Sequence, residues 1–259
     1  MTPLQVAKLK GPKVNFQLFT FPGSCALGSD KNGQKLPKET IYQQAQPTTI
    51  VKQLFVKQIE QIIWRYKLSS DTLNLAAHED VTEIQVFDIY LKPDVPKPDQ
   101  QIFETLDKAI PSPLLYRVFD SNNSRPKIKY VMAYKRHNKR DTETMVVEQY
   151  FQSNWVASTP DKACSLPIVL DIKGLYTALI RNLITEPALE NESFQDQLSR
   201  IGQIQVLSAK LEKLQTRLRK EKQFNRKVEL NKQANQLKNQ ITSLKSHDAK
   251  LEQKNDSIC

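Results

Sequence analysis

A chain of 259 residues with 39% hydrophobic and 8% aromatic content is long enough for one domain with a core plus an extension, and short for two full domains. Its longest apolar runs, such as LFTF and PIVL, fall far below the roughly 20 residues of a membrane-spanning helix, so a cytoplasmic protein without membrane contact is expected. The net charge of +10 is unevenly placed: Leu198 to Cys259 carry 14 Lys and Arg against 6 Asp and Glu, leaving 24 against 22 elsewhere.

The N-terminal stretch lacks a continuous apolar segment followed by a small-residue cleavage site, so no secretory leader is expected. Cys25, Cys164 and Cys259 are odd in number and far apart, which reads as reduced thiols. His78, His137 and His247 have no Cys or His neighbour at ligand spacing, so no metal site is expected. The six glycines form neither GxGxxG nor GxxxxGK[ST], which gives no support to a nucleotide phosphate loop, and no cofactor is expected.

Residues 1–47 mix Pro, Gly, Gln and Ser and read as an irregular N-terminal arm with a short helical turn near Lys38 to Gln44. Thr48 and Thr49 are cap candidates. After them Ile50, Val51, Leu54, Phe55, Ile59, Ile62, Ile63 and Tyr66 recur at spacings of three and four, which predicts one helix with a wide face buried on a sheet. EIQVFDIYL, residues 83–91, is apolar on both alternating sets and predicts a central strand. The prolines of KPDVPKPDQ make a loop. Ile102, Phe103, Leu106 and Ile110 mark a second helix ending at PSP.

LLYRVF, KIKYVMAY and TMVVEQYF follow as three strands at the spacing of an antiparallel meander. Ile172, Leu175, Tyr176, Leu179, Ile180 and Leu183 make a third amphipathic helix. Residues 48–185 therefore predict an α+β body: a mostly antiparallel sheet of about four strands with three packed helices.

Residues 186–193 read as a polar linker and 194–259 as a basic helical tail resembling a coiled coil. Ile204, Leu207, Leu211, Leu214 and Leu218 keep heptad spacing, as do Leu230, Ala234, Leu237, Ile241, Leu244, Asp248 and Leu251. The two runs are out of phase, separated by the charged RLRKEKQFNRKVE. Either one long helix slips phase here or two helices fold back as a hairpin. The lack of Gly and Pro in the segment favours the continuous helix.

Asp80, Glu83, Asp88 and Lys92 invite comparison with Mg-dependent nucleases, but Glu83 and Asp88 point to opposite faces of a strand and no E-x-K or D-x-K triplet sits on it. The plainer reading is turn acids and strand-edge charges, so no catalytic residue is assigned. Ser69, Ser70 and Thr72 read as turn and capping hydroxyls. The loop Lys135, Arg136, His137, Asn138, Lys139, Arg140 is a candidate phosphate contact. The tail adds Lys210, Lys213, Arg217, Arg219, Lys220, Lys222, Arg226 and Lys227, a basic surplus that Glu212, Glu221 and Glu229 do not balance. Such a surplus suits a polyanion or an acidic partner.

Read together, FVKQIEQIIWRYKLSSDTLNLAAHEDVTEIQVFDIYLK, LDKAIPSPLLYRVF, AYKR and YFQSNWV resemble a family of uncharacterised bacterial and archaeal proteins built on a domain of unknown function. The tail segment KEKQFNRKVELN resembles it as well. The most telling residues are Trp64, Lys67, Leu68, Thr72, Asn74 and Leu75, then Glu83, Ile84, Val86 and Phe87. The longer N-terminal arm departs from the family pattern. The resemblance implies companions, namely superfamily 2 helicases and DNA methyltransferases of restriction or phage-defence gene clusters.

The segment from Trp64 to Glu83 is expected to build a helix-to-strand connection, with Thr72 and Asn74 satisfying backbone groups and Glu83 pairing with Lys67. The expected function is a non-catalytic accessory subunit of a helicase-containing DNA-defence or restriction complex that binds a protein partner, and DNA through its tail. The alternatives are a divergent Mg-dependent nuclease using Asp80, Glu83 or Asp88, and a scaffold that homodimerises through 194–259.

Overall fold

The structure is a computed structural model that describes residues 16–120, 126–138, 141, 145–158 and 163–246. The chain divides into two compact units, Met1–Thr185 and Glu186–Cys259.

In the first unit a 3-10 turn at Gly23–Cys25 precedes β1 (Gln34–Lys35), α1 (Lys38–Ala45) and α2 (Thr49–Gln58). Gly33, with φ +85°, sits where a Cβ would lie 2.8 Å from the Trp64 carbonyl oxygen, and its lack of a side chain lets β1 enter the sheet. Thr48 caps α2, its hydroxyl accepting the Val51 amide at 3.4 Å. The ammonium of Lys38 closes the other end by donating to the carbonyls of Phe55 and Ile59.

The helix expected from Thr49 to Tyr66 ends at Gln58 and becomes β2 (Ile59–Ser69). Ile59, Ile62, Ile63 and Tyr66 satisfy helical spacing, but three of the four are β-branched and all pair with β3 (Glu83–Leu91) over nearly the whole strand. A register shift between Trp64 and Tyr66 changes which residues face the core, so the strand's apolar positions do not alternate strictly and imitate a helix.

The unit is α+β, and its sheet is mixed and seven-stranded, not a mostly antiparallel sheet of about four strands. β3 runs parallel to β4 (Leu114–Phe119), with α4 (Gln100–Ala109) as the connection between them. β5 (Lys127–His137) pairs antiparallel with β4, β6 (Met145–Gln152) and the short β7 (Val156–Ala157). On one face Phe55, Ile102, Phe103 and Leu106 pack with Ile62, Phe87, Ile89, Tyr116, Val118 and Val131. Against the other face α5 (Ile172–Leu183) buries Leu175, Tyr176, Leu179 and Ile180. Asp171 caps α5 by accepting the Gly174 amide at 2.6 Å.

The arm is less irregular than expected. Besides contributing β1 and α1, it lays Phe19 against the sheet, its amide donating to the Tyr130 hydroxyl at 3.2 Å, and stacks Phe21 on Tyr66 at 4.7 Å.

The second unit is a helical hairpin. α6 (Phe194–Lys220) and α7 (Phe224–Lys245) are separated by Glu221–Gln223. The Arg200 guanidinium near the start of α6 donates to the Leu244 carbonyl near the end of α7, so the helices run antiparallel. The continuous helix that the missing Gly and Pro favoured is corrected. A turn of extended residues needs neither, and the phase mismatch of the two seams is resolved by turning back. Ile204 and Ala234 are buried between the helices. No helix among the described residues is long and apolar enough to cross a membrane.

Candidate nucleic-acid interface

The hairpin turn converts a linear basic tract into a cluster. At 1.5 Å per residue, Lys210 lies about 15 Å from the end of α6. The eight cations from Lys210 to Lys227 therefore gather on the last few turns of α6, the connection and the first turn of α7. Between those positions the sequence holds eight Lys and Arg against Glu212 and Glu221, a net +6.

Lys210, Lys213, Arg217, Arg219, Lys220, Lys222, Arg226 and Lys227 are all exposed. Among the described residues none of the eight makes an ion pair, whereas lower in the same unit Arg200 and Lys245 are paired with Glu192 and Glu186. Glu221, the one acid in the turn, is occupied. Its carboxylate accepts the Lys222 and Gln223 amides at 2.9 Å each, and these bonds, led by that from Gln223, hold its pKa below the usual carboxylate range. That carboxylate fixes the turn and leaves the arginines and lysines pointing to solvent.

In the first unit the segment after β2 joins two antiparallel strands, not a helix to a strand as expected, while the contacts of Thr72 and the pairing of Lys67 with Glu83 are the expected ones. Thr72 Oγ1 accepts the Ser69 amide and donates to the Lys67 carbonyl, each at 2.9 Å. Asn74 takes the left-handed conformation, φ 52°, that ends the single helical turn α3 (Ser70–Leu73). Lys67 Nζ lies 2.7 Å from Glu83 Oε2, and Gln85 and Ser112 bond the other carboxylate oxygen. Trp64 stacks on Phe87 at 6.2 Å as part of the core. The segment is a connection in which Thr72 and Glu83 are held by hydrogen bonds.

Residues 19–241 match the model of a family described as Domain of unknown function (DUF4391). The chain belongs to this family. No curated protein and no solved structure matches it. The DUF4391 match spans the sheet unit and most of the hairpin.

The three acids considered for metal chemistry do not come together in this DUF4391 chain. Asp80 is hydrogen-bonded by Lys173, which holds its pKa down, Glu83 by Lys67, and Asp88 by a bidentate Arg117 at 2.6 and 2.7 Å. Among the described residues no group of three or more His, Cys, Asp or Glu could hold a metal ion.

The sequence groups Lys135 with a solvated loop. The structure corrects this, because β5 continues through His137 and a bulge after Tyr134 turns Lys135 inward. Tyr176 fills the bulge, its hydroxyl accepting the Lys135 amide and donating to the Ala133 carbonyl. With 2% exposure, Lys135 cannot reach a phosphate. Arg136 pairs with Glu148 on β6, and Lys139 and Arg140 lie outside the described residues. Among the described residues, the candidates that are exposed and make no ion pair are those of the hairpin.

Sequence reasoning misses the partners of the buried ions, Asp107 for Lys135 and Glu192 for Arg200. Both acids sit among polar neighbours on the chain, and only tertiary contact marks them out.

Proposed function

We propose that this chain is a non-catalytic accessory subunit of a helicase-containing DNA-defence or restriction complex. Its hairpin tip holds DNA by the phosphate backbone, and its sheet unit docks a protein partner. The single observation that carries the DNA part is the set of eight exposed cations without ion pairs at the turn between α6 and α7. A coiled coil kept only for stability gains from matched acids beside its cations. Unmatched cations instead release condensed counterions when they meet phosphates, and each such contact adds salt-dependent affinity. Contacts of Lys and Arg with phosphates carry no sequence information, so this backbone contact is independent of sequence. The helicase or methyltransferase as partner rests on the family resemblance of the sheet unit.

The scaffold reading gains less support, because the heptad seams of α6 and α7 meet within one chain. The nuclease reading gains less as well, since Asp80, Glu83 and Asp88 each hold a separate cation. The test is a pull-down from the native host with the full chain and with Arg217→Glu/Arg226→Glu. Recovery of a helicase or methyltransferase with both chains, and of DNA with the unsubstituted chain alone, supports the reading. Recovery of neither enzyme contradicts the accessory role.

A further inference from the structure

Beside α4, strands β5 and β6 leave a small cavity of about 40 Å³ lined by Lys97, Phe103, Lys129, Val131, Tyr150 and Gln152 among others. Lys129 keeps only 8% of its surface exposed, and among the described residues no acid or carbonyl bonds its ammonium. Its one compensating contact is the face of Trp155, with Nζ 6.0 Å from the ring centroid. The ammonium keeps contact with the water the cavity admits, but no group among the described residues supplies its counter-charge.

Neither Asp107 nor Asp99, the acids of α4 nearest the cavity that are held in place, pairs with Lys129. Asp107, whose carboxylate accepts the hydroxyl of the pocket residue Tyr150, is already paired with Lys135. Asp99, at the start of α4, accepts the Gln101 amide at 3.0 Å and so takes up the positive end of that helix. Lys97, on the rim, adds a second unpaired positive charge. Burial first and then Lys97 push the Lys129 pKa down, as expected of two cations facing one space with nothing between them. The volume, set against the 10–15 Å³ or so that one water occupies by the same measure, is room for about three waters or one tetrahedral oxyanion. Trp155, reached from Lys129, lines a wider, open depression of about 520 Å³ with Pro93, Asp94, Pro96, Asp120 and Lys127, whose two carboxylates leave room for an uncharged organic group but not for a second anion.

We propose that this cavity binds the phosphate group of a phosphomonoester, held between Lys129 and Lys97, with the depression across Trp155 taking whatever organic part the phosphate carries. The site lies in the sheet unit, and the proposal goes beyond DNA binding by the hairpin. An entering dianion supplies the counter-charge that Lys129 lacks, and Gln152 adds a neutral donor at the rim.

The experiment is calorimetric titration of the full chain with inorganic phosphate and with adenosine 5′-monophosphate, at ionic strength held constant with sodium chloride. Each is repeated on Lys129→Met and Lys97→Met. The expected result is saturable binding that Lys129→Met weakens by about tenfold or more, the loss of one charged hydrogen bond. Lys97→Met should weaken it in the same direction. Lys129→Met keeps the stem that packs beside Val131 and removes an unpaired buried charge, so its thermal stability without ligand should not fall. Tighter binding of the nucleotide than of phosphate identifies an ester as the source, and equal binding identifies the free anion. No saturable binding by the unsubstituted chain, or equal affinity in Lys129→Met, overturns the proposal.

Discussion

Lys135 Nζ lies 3.0 Å from Asp107 Oδ1, with 1% and 0% of the two side chains exposed. The carbonyl oxygens of Asp107, Ile110, Pro111 and Ser112 lie within hydrogen-bond distance of the same ammonium and share its three N–H groups, while Tyr150 donates to the other oxygen of Asp107 at 2.7 Å. One cation thus gathers the last carbonyls of α4 and the proline-rich turn into β4, satisfying groups that would otherwise be stranded away from water. The pair clamps the parallel connection against β5 and β6.

Breaking that pair is expected to be costly and pH-dependent. Lys135→Met should lower the stability of the sheet unit by about 3–5 kcal/mol near neutral pH, because it leaves Asp107 buried without its counter-charge. Burial already holds the Asp107 pKa above the usual range despite Lys135, and losing the cation raises it further. A folded-state pKa above the unfolded value contributes stability that is present at low pH and lost as pH rises. The deficit of Lys135→Met should therefore shrink on acidification from pH 7, as read by urea unfolding at several pH values. A deficit that is flat or grows on acidification would show that Asp107 is not the group left unpaired.

Glu83 behaves in the opposite sense. Burial pushes its pKa up, but bonds from Lys67, Gln85 and Ser112 outweigh this and hold it below the usual value. Its contribution is complete above the unfolded pKa of about 4.3 and is lost as pH falls through the folded value. With 40% of Lys67 and 21% of Glu83 exposed, solvent limits the ion pair to about 1 kcal/mol or less. Glu83→Gln should cost that much at pH 7 and nearly nothing once pH is below the folded value. An equal cost at both pH values would refute the assignment.

In the hairpin unit Arg200 bonds both carboxylate oxygens of Glu192, at 2.7 and 2.8 Å, and the carbonyls of Pro187 and Leu244. Arg200 therefore joins the linker to both helices at the base of the hairpin. Glu192→Ala leaves a buried guanidinium without its counter-charge, a loss of about 3–5 kcal/mol that a two-helix unit cannot absorb. Helical circular dichroism should fall in Glu192→Ala while the unfolding transition of the sheet unit stays where it was. Unchanged helicity would mean that the packing around Ile204 and Ala234 suffices without the ion pair.

Elements with one unambiguous period were legible in the sequence. The run from Glu83 to Leu91 and the helices bearing Leu106 and Leu179 are observed where the pattern placed them, and the Lys67–Glu83 pair is present. The failures share a physical cause, which is that tertiary structure overrode a local signal. Ile59, Ile62, Ile63 and Tyr66 satisfy two periods at once, and pairing with β3 decides for the strand. Lys135 stands among cations in sequence, yet a bulge of one residue puts it in the core. The hairpin turn uses the side chain of Glu221 instead of glycine, a capping device that composition does not reveal. At the candidate interface the sequence supplied the charges of the tail, while their convergence at one tip needed the fold.

The decisive measurement is the affinity of the full chain for a DNA duplex as a function of salt, for the unsubstituted protein and for Arg217→Glu/Arg226→Glu. Both positions are exposed and make no ion pair, so the substitutions should leave helicity intact. Log affinity is expected to fall linearly with log salt, and the slope to shrink by about 0.9 for each phosphate no longer neutralised, or nearly two for the pair. Affinity at low salt should also drop strongly. An unchanged slope and affinity, with the hairpin still folded, would contradict the claim that its tip is the DNA-binding surface.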